Sequence, residues 1–421
     1  MFKKLLFTLV VCLFIKTNAQ DGTVSPYSYF GLGTFNPANT VENNTMGGLS
    51  IYGDSIHVNL QNPASYGLLK LTTYTVGLSH RRMDLTSDIQ EKSTALTAID
   101  YLSVAMPIAK NIGIGFGITP VSSMGYILNS STENADGETI TNVFSGDGGL
   151  SKIYFSLGAA PLKNLTVGAS AFANFGTVNK ERVQSLSSVL FGTIDRRTSR
   201  MNGFNFQLAA NYTPNITDKL TLYTSFVHTT GLDLKASNTQ EVGSLSLVNG
   251  SELEVSELDL EASNLKNNTI EIPSMTTLGL GIGENKKWLV GASYSLQEMS
   301  SFSSAFLNQS NVTYSDASTL RVGGYYVPDF APFASFFKRA TYRFGIRLVN
   351  TGMEVNNQAI KDFGTNIGVG LPMGGTFSNV NIGIEMGALG TAKAGLIKEN
   401  YLSLRVGLSL NDRWFLKRKI N

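Results

Sequence analysis

The segment Tyr401-Leu402-Ser403-Leu404-Arg405-Val406-Gly407-Leu408-Ser409-Leu410 decides the fold. Leu402, Leu404, Val406, Leu408 and Leu410 alternate without a break against tyrosine, serine, arginine and glycine. A period of two means a strand with one apolar face and one polar or small face. The pattern recurs upstream. Ile112, Ile114, Phe116 and Ile118 alternate with Gly113, Gly115, Gly117 and Thr119. Tyr342, Phe344, Ile346 and Leu348 alternate with Thr341, Arg343, Gly345 and Arg347, and Val380, Ile382, Ile384 and Met386 with Asn381, Gly383, Glu385 and Gly387.

Strands are expected at 70–80, 100–108, 111–119, 150–160, 164–177, 200–213, 218–230, 270–282, 286–299, 317–327, 340–349, 361–371, 378–389 and 399–410. Most are close to the roughly 9–11 residues that a tilted strand needs to cross a bilayer. Short turns at 109–110, 161–163, 214–217 and 283–285 alternate with long polar stretches at 81–99, 120–149, 178–199, 231–269 and 300–316. Short periplasmic turns and long outer loops are the outer-membrane pattern, so the reading is all-β: a transmembrane antiparallel β-barrel of about 14 strands. An even count puts both termini in the periplasm. A secreted sandwich or propeller would show shorter strands and no such alternation of loop lengths, and no fixed-period repeat is visible. With 42 glycines and only 15% charged residues, the composition fits a barrel whose strands each show lipid one face.

Met1–Ala19 reads as a secretory signal: Lys3 and Lys4, an apolar run from Leu5 to Ile15, and Ala19 before a cleavage point at Gln20. The apolar run is too short for a transmembrane helix. The only cysteine, Cys12, lies inside it, and Val11 is too large for a lipobox. The mature chain therefore has no disulfide or cysteine chemistry. Without Lys3, Lys4 and Lys16, 30 basic residues balance 31 acidic ones, which gives no electrostatic case for nucleic acid. The expected organisation is signal peptide 1–19, N-terminal hatch 20–69, barrel 70–410 and basic periplasmic tail 411–421, in the outer membrane of a Gram-negative bacterium.

A barrel of about 14 strands is too wide to fill from its wall alone. The hatch is rich in Gly, Asn, Ser and Pro, yet its aromatics Tyr27, Tyr29, Phe30, Phe35, Tyr52 and Tyr66 argue for a folded plug. Ser25-Pro26-Tyr27-Ser28-Tyr29-Phe30-Gly31-Leu32-Gly33, then Met46-Gly47-Gly48, then Asn62-Pro63-Ala64 resembles the hatch of the FadL/TodX-like family. Ile270-Glu271-Ile272-Pro273-Ser274-Met275 also looks like that family. The resemblance implies an outer-membrane transporter of long-chain fatty acids or hydrocarbons. Its ligand would enter between outer loops and leave sideways at a kinked third strand. Carried over, that places a lateral opening at Gly113, Gly115, Gly117 and Pro120. Pro120 lacks a ladder N–H and the glycines remove lumen side chains. The alternative is that the glycines make room for the hatch.

Two outer stretches carry apolar residues. Val183, Leu186, Val189 and Leu190 have roughly helical spacing and suggest an amphipathic helix. Leu245, Leu247, Val248, Leu253, Val255, Leu258 and Leu260 suit a greasy ligand, a protein partner or mutual packing of the loops. Arg321, Arg343, Arg347 and Arg405 should face the lumen with Glu385 among them. They would bind a ligand carboxylate or form a network holding the plug, with Glu42 or Asp54 as partners. On the periplasmic side, Phe330, Phe333, Phe336, Phe337, Trp414 and Phe415 form a candidate docking surface.

His57, His80 and His228 are scattered, no metal motif or nucleophile elbow is present, and neither a metal nor a cofactor is expected. The leading expectation is facilitated uptake of a hydrophobic small molecule, with outer-membrane lipid as surroundings and no pump partner. The alternative is a non-transporting barrel that joins other outer-membrane or periplasmic proteins in a secretion or assembly machine. An outer-membrane enzyme is third.

Overall fold

A computed structural model of the chain describes residues 22–307, 309, 311–331, 333–373 and 378–414. The signal segment, most of the basic tail and Phe415 lie outside the described residues. The wall is a closed antiparallel barrel of 14 strands. They are β1 Thr72–Thr86, β2 Glu91–Ala109, β3 Ile112–Glu133, β4 Thr139–Leu162, β5 Leu165–Leu186, β6 Phe191–Tyr212, β7 Leu220–Thr229 continued by Leu232–Ser246, and β8 Asn267–Ile272 continued by Met275–Glu284. Then follow β9 Trp288–Gln297, β10 Ala317–Tyr326, β11 Thr341–Val355, β12 Gln358–Pro372, β13 Asn379–Leu389 and β14 Lys398–Asp412. β14 closes on β1 along the whole ladder from Asp412↔Thr72 to Lys398↔Thr86. Closure satisfies backbone groups that lipid cannot. No helix among the described residues is long enough to cross a membrane.

Each expected strand is present, but many run further outward than their apolar pattern. β3 has 22 residues and β4 has 24. Beyond the bilayer both faces of a hairpin meet water, so the period-two signal disappears while the ladder continues. The same physics corrects the expected helix at Val183–Leu190. Val183 pairs with Val143 and Ile194, and Leu186 with Ile140, in a β5–β6 hairpin flanked by β4.

β7 and β8 break at neighbouring points, Thr230-Gly231 and Pro273-Ser274. Below the break β7 pairs with Met275–Glu284, and above it with Asn267–Ile272. Proline cannot donate to a ladder, which is the local reason for the break.

Residues 22–69 lie inside the barrel. Ser25 caps a 3-10 turn at Pro26–Tyr29, Thr40 caps the single helical turn α1 at Val41–Asn44, and Asn62 caps a 3-10 helix at Pro63–Leu68. These side-chain caps replace the ladder as the hatch's backbone partners. Gly47 and Gly48 adopt positive φ (73° and 84°), turning the chain after Met46 against the wall.

The inner face of the wall is glycine where the hatch touches it. A Cβ on Gly345 would sit 2.0 Å from Gly47 N, one on Gly323 2.3 Å from Met46 O, and one on Gly168 2.3 Å from the Pro63 carbonyl carbon. Ile51 covers Gly279, Gly281 and Gly291, Thr45 covers Gly368 and Gly383, and Val41 lies against Gly407. These contacts involve every strand from β8 to β14. The outer face carries Leu402, Leu404, Phe344, Ile346, Leu278 and Leu280, all about half exposed toward the bilayer.

Gly345→Val should displace the hatch, because the atoms it meets are backbone and cannot yield. Overpacking of this kind costs about 1–3 kcal/mol or more. Limited proteolysis of the hatch in detergent should accelerate in Gly345→Val. It should not change in Gly231→Ala, whose added methyl meets Ile272 O at 3.4 Å and Ser274 N at 3.8 Å, both ordinary contacts.

Candidate functional site

Asn62-Pro63-Ala64 is a pin. Asn62 Oδ1 accepts from Ala64 N (3.1 Å) while its Nδ2 donates to Asn211 Oδ1 of β6 (2.8 Å), Ser225 Oγ of β7 (3.0 Å) and Ser50 O (3.2 Å). Ala64 fills a small apolar site with Ala209 and Val227. Asparagine suits this place because a side-chain amide both caps a turn through its oxygen and shares its two N–H groups among these three acceptors.

Gly113 and Gly115 face Tyr66: added Cβ atoms would meet Tyr66 O at 2.2 Å and the Tyr66 ring at 2.0 Å. These two glycines make room for the hatch. Gly117 is crowded by Leu102 O at 2.3 Å. Pro120 stands where the wall changes. The β2–β3 ladder ends at Leu102↔Ile118. Outward of it, β2 pairs only with β1 and β3 pairs with β4, with a bulge between Pro120 and Ser122. On its other edge β3 receives the hatch: Thr34–Phe35 pairs with Ser123 and Ser122, and Asn36 N donates to Val121 O at 2.8 Å. The hatch thus takes the ladder position that β2 vacates.

The lumen charges assemble on one side. Arg347 Nη2 contacts Asp362 (2.8 Å) and Glu385 (2.9 Å), and Arg405 contacts Glu385 (3.1 Å) and Asp100 (2.7 Å). Tyr401 Oη donates to Asp362 at 2.8 Å, and the Arg81 guanidinium lies 4.8 Å from the centre of the Tyr401 ring. Glu385 is 1% exposed, so the pairing is what permits its charge. Arg343 donates to Asn381 Oδ1 (2.9 Å), and Asn381 donates onward to Glu42 Oε1 (2.7 Å). Ser409 also donates to Glu42 (3.0 Å), tying α1 to β14. Arg321 donates to Ser295 Oγ (2.7 Å) and, like Arg343, forms no ion pair among the described residues.

Asp362 and Asp100 were missed in the sequence. Alternation along β12 puts Asp362 on the lumen face with Gly364 and Asn366, so its signal was available. Asp100 sits at a bulge opposite Gly77 and Leu78, which no alternation reveals.

Asp54 pairs inside the hatch and not with the wall arginines. His57 Nδ1 lies 2.5 Å from Asp54 Oδ2, and the Ile56 and His57 amides donate to Oδ1 at 2.8 and 2.7 Å. Burial pushes the Asp54 carboxyl up, but the His57 charge and these donors outweigh it and hold it below its ordinary 3.8. Burial pushes His57 down, and Asp54 outweighs that, leaving it above its ordinary 6.5.

The cavity bounded by Glu42, Asn43, Met46, Tyr52, Asp54, His57 and Arg343 holds about 10 Å³. That is room for about one water molecule. Two apolar clusters pack hatch against wall: Leu32 with Met124, Leu150 and Phe302, and Met46, Leu49 and Ile51 with Tyr325.

On the periplasmic side, the β10–β11 turn folds as a 3-10 turn, Phe336–Lys338, closed by Asp329 N donating to Lys338 O (2.9 Å). Phe330 and Phe337 are exposed, Phe336 is exposed edge-on to Phe337 at 5.5 Å, and Phe333 is fully exposed (101%). Trp414 is exposed but meets Tyr74 edge-on at 5.6 Å. The turn and Trp414 are therefore separate features.

A 14-stranded barrel with a folded N-terminal hatch is the architecture of FadL/TodX-type outer-membrane channels. Within that class the chain belongs to the family described as BamG, whose sequence profile matches residues 1–421. Among solved structures it is similar to a Pseudomonas aeruginosa FadL homologue at 13% identity and TM-score 0.59, with 90% of this chain and 98% of that chain covered. The P. putida toluene transporter TodX gives 16% identity and TM-score 0.59, with 90% and 100% covered. The CymD monoaromatic hydrocarbon channel gives 13% and 0.55, with 91% and 99% covered. These likenesses establish the fold. No curated protein matches the sequence significantly.

Glu385→Gln should destabilise the barrel by about 3–5 kcal/mol, because it leaves two buried guanidiniums undercompensated. Urea titration of the gel-shifted folded form should show the lower midpoint, with exposed Glu254→Gln unchanged. The hatch should also respond to pH. The lowered Asp54 stabilises it above about pH 3.8 and loses that effect as pH falls through its folded value. The raised His57 stabilises it below about pH 6.5 and loses that effect as pH rises through its folded value. Hydrogen-exchange protection at residues 52–59, corrected for the intrinsic pH dependence of exchange, should therefore be greatest between these limits, and His57→Ala should flatten its loss at higher pH.

Proposed function

We propose that this barrel acts as a subunit of a larger outer-membrane secretion or protein-assembly machine and does not itself carry hydrophobic molecules. The observation that supports this best is the filled interior. Ligand pockets for small apolar molecules span about 300–1,000 Å³, whereas the cavity that Glu42, Met46, Tyr52, His57 and Arg343 enclose between hatch and wall is about 10 Å³. Backbone contacts at Gly113, Gly168, Gly323 and Gly345 leave no slack for a pocket to form without moving the hatch. Arg347 and Arg405 already hold wall carboxylates and are not free for a ligand carboxylate.

The periplasmic turn gives the second support. Phe330, Phe333, Phe336 and Phe337 present aromatic surface to the side where other components would dock. Aromatics are the residues that anchor protein interfaces.

One observation favours the second reading, uptake of fatty acids or hydrocarbons. Beyond Leu102↔Ile118, β2 and β3 no longer pair with each other, which would let a ligand leave sideways if the hatch strand moved off β3. Two structures of this fold are entitled toluene transporter and monoaromatic hydrocarbon channel. On this reading Gly117 and Pro120 form the opening and the hatch strand Thr34–Phe35 has to leave β3.

Affinity purification of the tagged chain from native membranes in gentle detergent distinguishes the two. Mass spectrometry of proteins and lipids should find stoichiometric protein partners and no enriched fatty acid or hydrocarbon. Replacing Phe330, Phe333, Phe336 and Phe337 by alanine should release a periplasmic partner while the barrel still folds. A lone barrel carrying apolar ligand would overturn the proposal.

A further inference from the structure

The outer end of the barrel carries a strand with a free edge. Glu252–Glu257 leaves the loop after β7 and pairs back onto it, from Glu252↔Leu245 to Glu257↔Glu241. Its other edge has no strand partner among the described residues, and all six residues are exposed. An unpaired edge offers a row of backbone donors and acceptors to any extended chain.

The edge is apolar and acidic together. Leu253 and Val255 are exposed, with Leu247, Val248 and Leu258 beside them. Glu252, Glu254, Glu257, Asp259 and Glu261 fall within the same short stretch. Arg196 neutralises Glu252 (2.8 Å) along with Glu241 and Glu181, and Lys266 pairs with Glu261 (2.5 Å). Glu254, Glu257 and Asp259 form no ion pair among the described residues.

The strand leads into a recess. Glu257, Leu258, Asp259, Leu260, Lys266 and Asn238 line a polar space of about 250 Å³. Asn238 is 1% exposed, and its Nδ2 is used twice, on Leu265 O (2.6 Å) and Asn268 Oδ1 (3.0 Å). Its Oδ1 accepts nothing. Lys266, the recess's own cation, is ion-paired with Glu261, so the buried Asn238 Oδ1, beside two carboxylates that form no ion pair, is left without an N–H donor. Lysine and arginine side chains supply both a positive charge and N–H groups.

We propose that this outer edge docks an extended segment of a second surface-exposed protein, one that alternates basic and apolar residues. The segment adds a strand to Glu252–Glu257 and places a lysine or arginine in the recess against Glu257, Asp259 and Asn238 Oδ1. The same charges exclude a second copy of this acidic strand, since like charges repel across a ladder. The site is at the opposite end of the barrel from the periplasmic phenylalanines and does not depend on them.

The test uses the full mature chain in phosphatidylcholine nanodiscs with a fluorescent peptide alternating lysine and valine. Anisotropy should report binding that weakens with salt. The doubly substituted Glu257→Gln, Asp259→Asn chain should bind about tenfold more weakly, as should Glu254→Lys. A glutamate–valine peptide should not bind. Hydrogen exchange of the unsubstituted chain should slow at 252–257 when the basic peptide is added. Equal binding of the acidic peptide, no binding of the basic one, protection elsewhere, or undiminished binding by well-folded variants would each overturn the proposal. The two peptides and the exchange map decide the matter even if a variant does not fold.

Discussion

The close approach of hatch backbone to wall backbone is the constraint on which this structure rests. A closed ring of 14 strands satisfies the hydrogen bonds that lipid cannot, but it encloses more width than inward side chains can fill. Replacing inward side chains by glycine widens the ring further. The compensation is that a second stretch of chain, with its own turns and caps, can lie against the bare strands. Met46 and Gly47 against Gly323 and Gly345, and Pro63 against Gly168, are contacts in which neither side has an atom to spare. Sequence at both places is set by one another, and the lumen is consequently a packed core.

That core is divided by chemistry. Around β1, β2 and β11–β14, Asp100, Asp362 and Glu385 balance Arg347 and Arg405, and Glu42 of the hatch enters the same region through Asn381 and Ser409. Around β3–β10, contacts are mostly apolar or glycine, as with Tyr66 on Gly115 and Ile51 on Gly279. A polar network specifies one registration only when its members are satisfied. Apolar packing alone would let a plug rotate within a nearly round wall. The pairing of Glu42 with β13 and β14, and of Asn62 with β6 and β7, fixes the hatch at two opposed points.

Much of this was legible in the chain. Alternation in segments such as Tyr401–Leu410 placed every strand, because a bilayer forces one face to be apolar. Inward-facing arginines followed from the same alternation, and Asn62-Pro63-Ala64 carried its capping chemistry in its residue types. Three things were hidden. The outer hairpins have water on both faces, so Val183 and Leu186 imitate helical spacing while lying in strands. Bulges shift the phase, which concealed Asp100. The free outer edge of Glu252–Glu257 depends on which strands end early, and that is a property of the whole ladder.

The two ends of the barrel differ in kind, and the filled lumen gives that difference its meaning. A channel must keep a path between its mouths, and its ends are entrances. Here the cavity beside Glu42, His57 and Arg343, between hatch and wall, is sized for a water molecule. The periplasmic end projects phenylalanines and the outer end an acidic, unpaired strand. Aromatic surface binds through burial, which is non-directional, whereas an acidic edge selects by charge and backbone pairing. If the barrel is the machine subunit proposed above, two ends with different recognition chemistry, joined by a hydrogen-bonded wall, would let it hold one partner on each side of the membrane. On the proposed subunit reading, such a component keeps what the barrel fold offers, a closed wall in lipid, and does not use its lumen as a path.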